Sequence, residues 1–343
     1  MSSLRNTRRI ETGFRSDSNL FAPESSFTVW PLGLWSITRQ RCISAVCLAE
    51  FHRYLHVYAD SCCSSGPLTR RKLISMPYND FSTMPEFTHV KVETDDDIGT
   101  IRIDRPDQLN ALNTNVVDEL YDAFAHLEEA GVVVVLLRTT GDRAFVAGAD
   151  LKEITEFSNR EFLEFQKNSR ETNDYIAEHP AQVIAVVDGL AYGGGFELAL
   201  AADMIVSEES ATFAVPEVKL GLIPGGGATQ RLPRIIGTNK AKELLATGET
   251  ISADEAKSLG LVNRLAEDGS GLDAARGLAE TIADRPPLAV QEVKRVVDGG
   301  VESSLETGLS YEQEVTYQLF DSDDVTEGIQ AFLEDRDPEF TGS

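Results

Sequence analysis

The sequence predicts an α/β fold of sheet and helix layers with a helical region at its C-terminal end. Three observations carry this. Apolar runs such as VVVVLL at 132–137 and VIAVV at 183–187 are short, β-branched and bounded by polar residues, so they read as buried strands. The stretches between them repeat apolar residues at every third and fourth position, the period of a helix packed on one side, and strands alternating with helices imply helices covering a sheet. Beyond about residue 228 only helical spacing remains, punctuated by Gly and Pro.

In chain order, residues 1–83 come first and look unlike the rest. They hold all four cysteines (Cys42, Cys47, Cys62, Cys63) and both tryptophans (Trp30, Trp35), are rich in Ser and Arg, and show no sustained period. An Arg-rich, acid-poor segment can be an organelle transit peptide. The expectation is instead a disordered or mis-assigned extension, with translation starting at Met84 or Met76. FTHVKVET and IGTIRIDRP then alternate apolar and polar residues around DDDIG, a hairpin. Thr114 is expected to cap the amphipathic helix NVVDELYDAFAHLEEA. The strand VVVVLLR, the loop GDRAFVAGADLKE, a charged helix over about 159–178, the strand QVIAVVDG, a helix opened by GGGFELALAAD, and the short strands MIVSE and ATFAV follow. Helical segments from ATQRLPRIIG to 323–334 complete the chain. The division expected is an extension at 1–83, a catalytic core at 84–280 and a helical, oligomer-forming region at 281–343.

Charge narrows the function classes. The formal net charge is −25. Residues 1–83 carry ten Lys/Arg and six Asp/Glu, leaving 21 against 50, a net −29, on residues 84–343. Such a domain repels nucleic acid and anionic membrane, so neither is an expected partner. No run reaches the roughly 18 apolar residues of a membrane helix. An acidic surface of this density suits a high-salt cytoplasm, where screening weakens self-repulsion, and points to a salt-adapted microbial protein; an acidic mesophilic enzyme is the alternative. Without cysteine after Met84, thiol catalysis and disulfides are excluded there and a reducing cytoplasm is expected. His89, His126 and His179 lack ligand spacing, so no metal is expected.

Two glycine-rich turns lead into helix starts: Ala147, Gly148, Ala149 and Asp150 before one, and Gly193, Gly194 and Gly195 before the other. Free N–H groups at such starts face negative charge, and one from each turn could make a two-donor oxyanion hole. Glu197 sits one turn into the second helix and Glu217 follows Pro216. Taken singly, Glu197 reads as an acid complementing a helix dipole and Glu217 as a solvated loop acid. Together, in apolar company, they read as a proton-handling pair.

FVAGADLKE, VDGLAYGGGFELALAADMIVS, FAVPEVKLGLIPGGGATQRLPR, DRPDQLNALN and the tail DSDDVTEGIQAFLEDRDPEF resemble, in order and spacing, the enoyl-CoA hydratase/isomerase (crotonase) family over 86–343. The resemblance implies the crotonase-type repeated ββα superhelix with a C-terminal helical region, and an acyl-CoA substrate with coenzyme A as carrier and no other cofactor. It implies backbone N–H groups of Ala149 and Gly194 as the oxyanion hole and Glu197 and Glu217 as catalytic acids of a hydratase. It places coenzyme A contacts at Leu109, Ala111, Ala147, Gly148 and Asp150, with Lys294 as a phosphate partner, and leaves Asp203 a structural acid. A homotrimer or dimer of trimers is implied. The alternatives are a Δ3,Δ2-enoyl-CoA isomerase, in which only the second glutamate is typically kept, and a non-catalytic acyl-CoA- or RNA-binding member of the fold.

Overall fold

The computed structural model describes residues 87–343. The expectations for residues 1–83 and for a start at Met84 or Met76 lie outside the described residues. Strands β1 (Val90–Asp95) and β2 (Ile98–Ile103) form the expected antiparallel hairpin, turning at Asp96 with φ 50°. A 3-10 turn at Pro106–Gln108 leads to α1 (Thr114–Ala130), β3 (Val134–Thr139), α2 (Leu151–Ile154), α3 (Asn159–Glu178), β4 (Gln182–Val187) and β5 (Leu190–Tyr192). Next come α4 (Gly194–Ala201), β6 (Met204–Glu208), β7 (Thr212–Ala214) and a second 3-10 turn at Pro216–Leu220. The chain continues as α5 (Ala228–Ile236), α6 (Thr238–Thr247), β8 (Thr250–Ser252), α7 (Ala253–Ser258), β9 (Arg264–Ala266), α8 (Gly271–Ala283), α9 (Pro287–Val301), α10 (Leu305–Phe320) and α11 (Asp323–Glu334).

Six strands form one sheet in the order β1-β2-β3-β4-β6-β9, parallel except for the hairpin, and β5-β7-β8 form a second. The continuous apolar runs follow from burial on both faces of the large sheet. Val135, Leu137, Val183 and Ala185 lie in the core shared with Val117, Leu120, Phe124 and Leu127 of α1. Their alternates Val134, Leu136, Ile184 and Val186 pack with Ala275, Leu278 and Ala279 of α8 on the other face.

Two expectations are corrected. Asn113, not Thr114, caps α1: its side chain accepts from Val116 N at 3.0 Å, and Thr114 is the first helical residue. The chain after residue 228 is not helical throughout, because β8 pairs antiparallel with β7 and β9 extends the large sheet beside β6. Each has three residues, too few to display a period; in β8 only Ile251 is buried.

Candidate active site

Three chain segments meet around a cavity of about 190 Å³ lined by Ala149, Gly194, Glu197 and Glu217 among others. The turn Ala147–Asp150 is stitched on both sides. Leu112 N donates to Gly148 O at 2.8 Å and Asp150 N to Leu112 O at 2.7 Å, while Val146 N donates to Leu190 O at 3.0 Å and Tyr192 N to Val146 O at 3.0 Å. With Gly148 and Asp150 turned toward Leu112, the intervening Ala149 N–H faces the other way, toward the start of α4. Gly148 at φ 116° makes this turn possible.

The second segment is β5 and the start of α4. Gly193 N donates to Ala214 O at 2.9 Å, and Glu197 N to Gly193 O at 2.9 Å opens the helix. As the first helical residue, Gly194 leaves its N–H without an intrahelical partner. A Cβ built on Gly194 would lie 3.8 Å from Ala149 N, so the two groups sit side by side.

Glu197 is 5 % exposed, and its Oε1 accepts from Gly226 N at 2.8 Å and Ala228 N at 3.0 Å. That cradle is itself clamped. Gly226 O accepts from Asn173 Nδ2 at 3.0 Å and from an Arg231 guanidinium nitrogen at 3.0 Å, and Arg231 pairs with Asp174 at 2.7 Å. Burial lifts the Glu197 carboxyl to about 7; the Ala228 N–H opposes the rise and the neighbouring Glu217 charge adds to it. Glu217, on the first turn of the 3-10 segment after β7, is half-buried. Its Oε1 lies 2.8 Å from the Cβ position of Gly193, its Oε2 is buried without a hydrogen-bond partner among the described residues, and burial raises its carboxyl too. Two acids that both resist ionisation thus share one cavity with two N–H groups at its wall. Such a site can stabilise charge on a carbonyl oxygen while moving protons nearby.

The match to the enoyl-CoA hydratase/isomerase family model spans residues 93–343. The chain is 42 % identical over 253 residues to the human enoyl-CoA hydratase domain-containing protein 2, mitochondrial, covering 72 % of this chain and 87 % of that one. It is 34 % identical over 252 residues to the short-chain-enoyl-CoA hydratase of Clostridium acetobutylicum, covering 73 % and 97 %. The crystal structure of an enoyl-CoA hydratase from Bacillus anthracis superposes with a TM-score of 0.73 at 37 % identity, covering 75 % of this chain and all of that one. The chain belongs to the enoyl-CoA hydratase/isomerase family. It has the crotonase fold and, as a member, is an enzyme of a family that acts on acyl-CoA thioesters.

Within this crotonase-family chain the expected coenzyme A contacts stand as follows. Leu109 N donates to Pro106 O and Ala111 N to Gln108 O, both at 3.1 Å. Leu109 O accepts from Ala147 N at 3.1 Å and Ala111 O accepts from Arg105, so each carbonyl keeps one lone pair for a ligand. Gly148 lines the cavity beside Ala147. The Asp150 carboxylate caps α2 through Lys152 N at 3.2 Å and pairs with Arg105 at 3.1 Å, holding the turn. Lys294 requires a correction. It is 8 % exposed, its Nζ lies 2.9 Å from Asp203 Oδ2 and 3.3 Å from Ala181 O, and Asp203 also accepts from Val183 N at 2.7 Å. Its charge is spent joining α9 to the sheet, leaving none for a phosphate. Sequence reasoning missed Gly226, Ala228, Asn173 and Arg231. The signal available was GGG at 225–227 directly before a helix, a second set of free N–H donors.

Proposed function

We propose that this chain is an enoyl-CoA hydratase, adding water across the 2,3 double bond of a 2-enoyl-CoA to give a 3-hydroxyacyl-CoA in fatty-acid or related acyl-CoA metabolism. The observation that carries it is the pair of carboxyls, the buried Glu197 and the half-buried Glu217, both raised by burial, on one cavity with the Ala149 and Gly194 N–H groups. In this reading the two N–H groups hold the thioester oxygen, where negative charge gathers as water adds to Cβ. One member of the dyad, as carboxylate, takes a proton from the water while its oxygen bonds to Cβ. The other, as carboxylic acid, delivers a proton to Cα. Burial raises both carboxyls, Glu197 to about 7, and the neighbouring Glu217 charge adds to the rise at Glu197, so the two are read as titrating as a pair.

Coenzyme A serves as the substrate's carrier and the chemistry calls for no metal, since the N–H pair supplies the polarisation. An isomerase moves one proton between carbons and needs a single acid–base group. A buried Glu197 held by two N–H donors would then have no task, which supports hydration over isomerisation. A non-catalytic RNA-binding role is opposed by the −29 charge of residues 84–343. We place the protein in the cytoplasm, as a homotrimer or dimer of trimers. The exposed stripe Val293, Val297 and Val301 along α9, with Leu305 and Leu309 after it, supports an association surface. The reading is tested by turnover of crotonyl-CoA against 3-hexenoyl-CoA by the protein and its two Glu→Gln variants.

A further inference from the structure

Helix α3 presents Gln166, Ser169, Thr172 and Asn173 to the cavity wall. The fold uses two of them: Thr172 Oγ1 donates to Val117 O at 3.4 Å and Asn173 Nδ2 to Gly226 O at 3.0 Å. Ser169 is different. Its Oγ is buried and has no hydrogen-bond partner among the described residues. Other helical serines close on their own helix: Ser310 donates to Glu306 O at 2.9 Å and Ser258 to Glu255 O at 2.8 Å. A hydroxyl walled off from solvent and left unpaired is costly, so its retention at a cavity wall points to a ligand group that pairs with it.

The position of this wall defines which part of a ligand it meets. A Cβ built on Gly225 would lie 2.5 Å from Gln166 Oε1, and one on the next residue, Gly226, 2.8 Å from Glu197 Oε2. The polar wall therefore begins one residue from the carboxyl dyad, and an acyl chain with its Cα–Cβ bond at the dyad passes it within a few carbons. Phe162, Phe165 and Leu120 make the neighbouring lining apolar, and the two glutamates disfavour a second carboxylate in the cavity. We propose that this site takes acyl-CoA thioesters whose chain carries an uncharged hydrogen-bonding substituent, a hydroxyl or carbonyl, beyond Cβ, with Ser169 as the residue that selects it and Gln166 beside it. The inference rests on the hydratase reading for the placement of the acyl chain.

The experiment measures binding, so that it does not depend on turnover. Dissociation constants of hexanoyl-CoA, 5-hydroxyhexanoyl-CoA and 6-hydroxyhexanoyl-CoA are compared by calorimetry for the full chain, Ser169→Ala and Ser169→Thr, with crotonyl-CoA hydration assayed in parallel. One of the hydroxylated esters should bind about fivefold tighter than hexanoyl-CoA, the gain of one net hydrogen bond. Ser169→Ala should abolish or reverse that preference, and Ser169→Thr, which keeps the hydroxyl, should retain it. Equal affinities in the wild type, or a preference unchanged in Ser169→Ala, overturns the proposal. If crotonyl-CoA is hydrated and no preference is found, this inference alone falls. If the preference holds and crotonyl-CoA is not hydrated, the hydratase reading falls and the selective contact stands.

Discussion

Two N–H donors on Glu197 Oε1 favour its charged form and burial opposes it; the carboxyl ends at about 7, so burial prevails. Because the folded-state value lies above the ordinary 4.5, the folded protein holds a proton that the unfolded chain releases between about 4.5 and 7. The stabilisation from holding it is present below that window and is lost as pH rises through it. Glu197→Gln, which cannot ionise, should match the wild type near pH 4 and exceed its unfolding free energy by about 3 kcal/mol near pH 8. Urea unfolding at the two pH values checks this, and an equal difference at both would refute it. At this scale Glu197 and Glu217 were legible because acids beside glycines, proline and apolar runs demand a reason. The Gly226 and Ala228 donors and the Arg231–Asp174 pair were not, because these partners lie 29 or more residues from the residues they serve. Lys294 was misread because sequence shows its charge and not the Asp203 that neutralises it.

The start of α4 turns on the difference between adjacent glycines. A Cβ on Gly195 would lie 2.1 Å from Val146 O, a backbone atom in the stitched turn, whereas one on Gly194 meets only Leu112 Cδ1 at 3.4 Å and Ala149 N at 3.8 Å. Gly195→Ala should therefore cost about 3 kcal/mol or more, or yield no folded protein. Gly194→Ala should keep its melting temperature and lose activity by about 10²-fold, since its methyl group crowds the Ala149 N–H. Melting curves and turnover of the two variants separate these outcomes; equal destabilisation would contradict the packing described. Among the elements, α1 and α3 were readable from their helical period and charge, whereas the Asn113 cap of α1 and the Ser158–Glu161 capping box of α3 emerged only in the structure. β5, β8 and β9 were not readable: at three residues each they carry no pattern of their own, whereas the equally short β7 sits inside the apolar run ATFAV.

Over the whole molecule, the net −29 of residues 84–343 sets self-repulsion against folding and against association of the exposed apolar stripe on α9. Raising ionic strength from about 0.1 M to about 1 M shortens the screening length from roughly 10 Å to roughly 3 Å, so melting temperature and assembly mass should rise together along a KCl series. A melting temperature that stays flat or falls would show that the acidic surface is not an adaptation to salt. The charge balance was plain in the sequence, while the exposure of the α9 stripe was not, since an apolar stripe reads alike whether it faces its own core or solvent. The site depends on the molecule as a unit, because α4, the 3-10 turn after β7 and the Ala147–Asp150 turn each bring one part of it. The most direct test is turnover of crotonyl-CoA by the wild type, Glu197→Gln and Glu217→Gln, with 3-hexenoyl-CoA as the competing substrate. The wild type should hydrate crotonyl-CoA and leave 3-hexenoyl-CoA unisomerised, and each variant should lose at least about 10²-fold in kcat with saturated acyl-CoA affinity little changed. A Glu197→Gln protein that hydrates crotonyl-CoA at the wild-type rate, or a wild type that only isomerises 3-hexenoyl-CoA, would contradict the account.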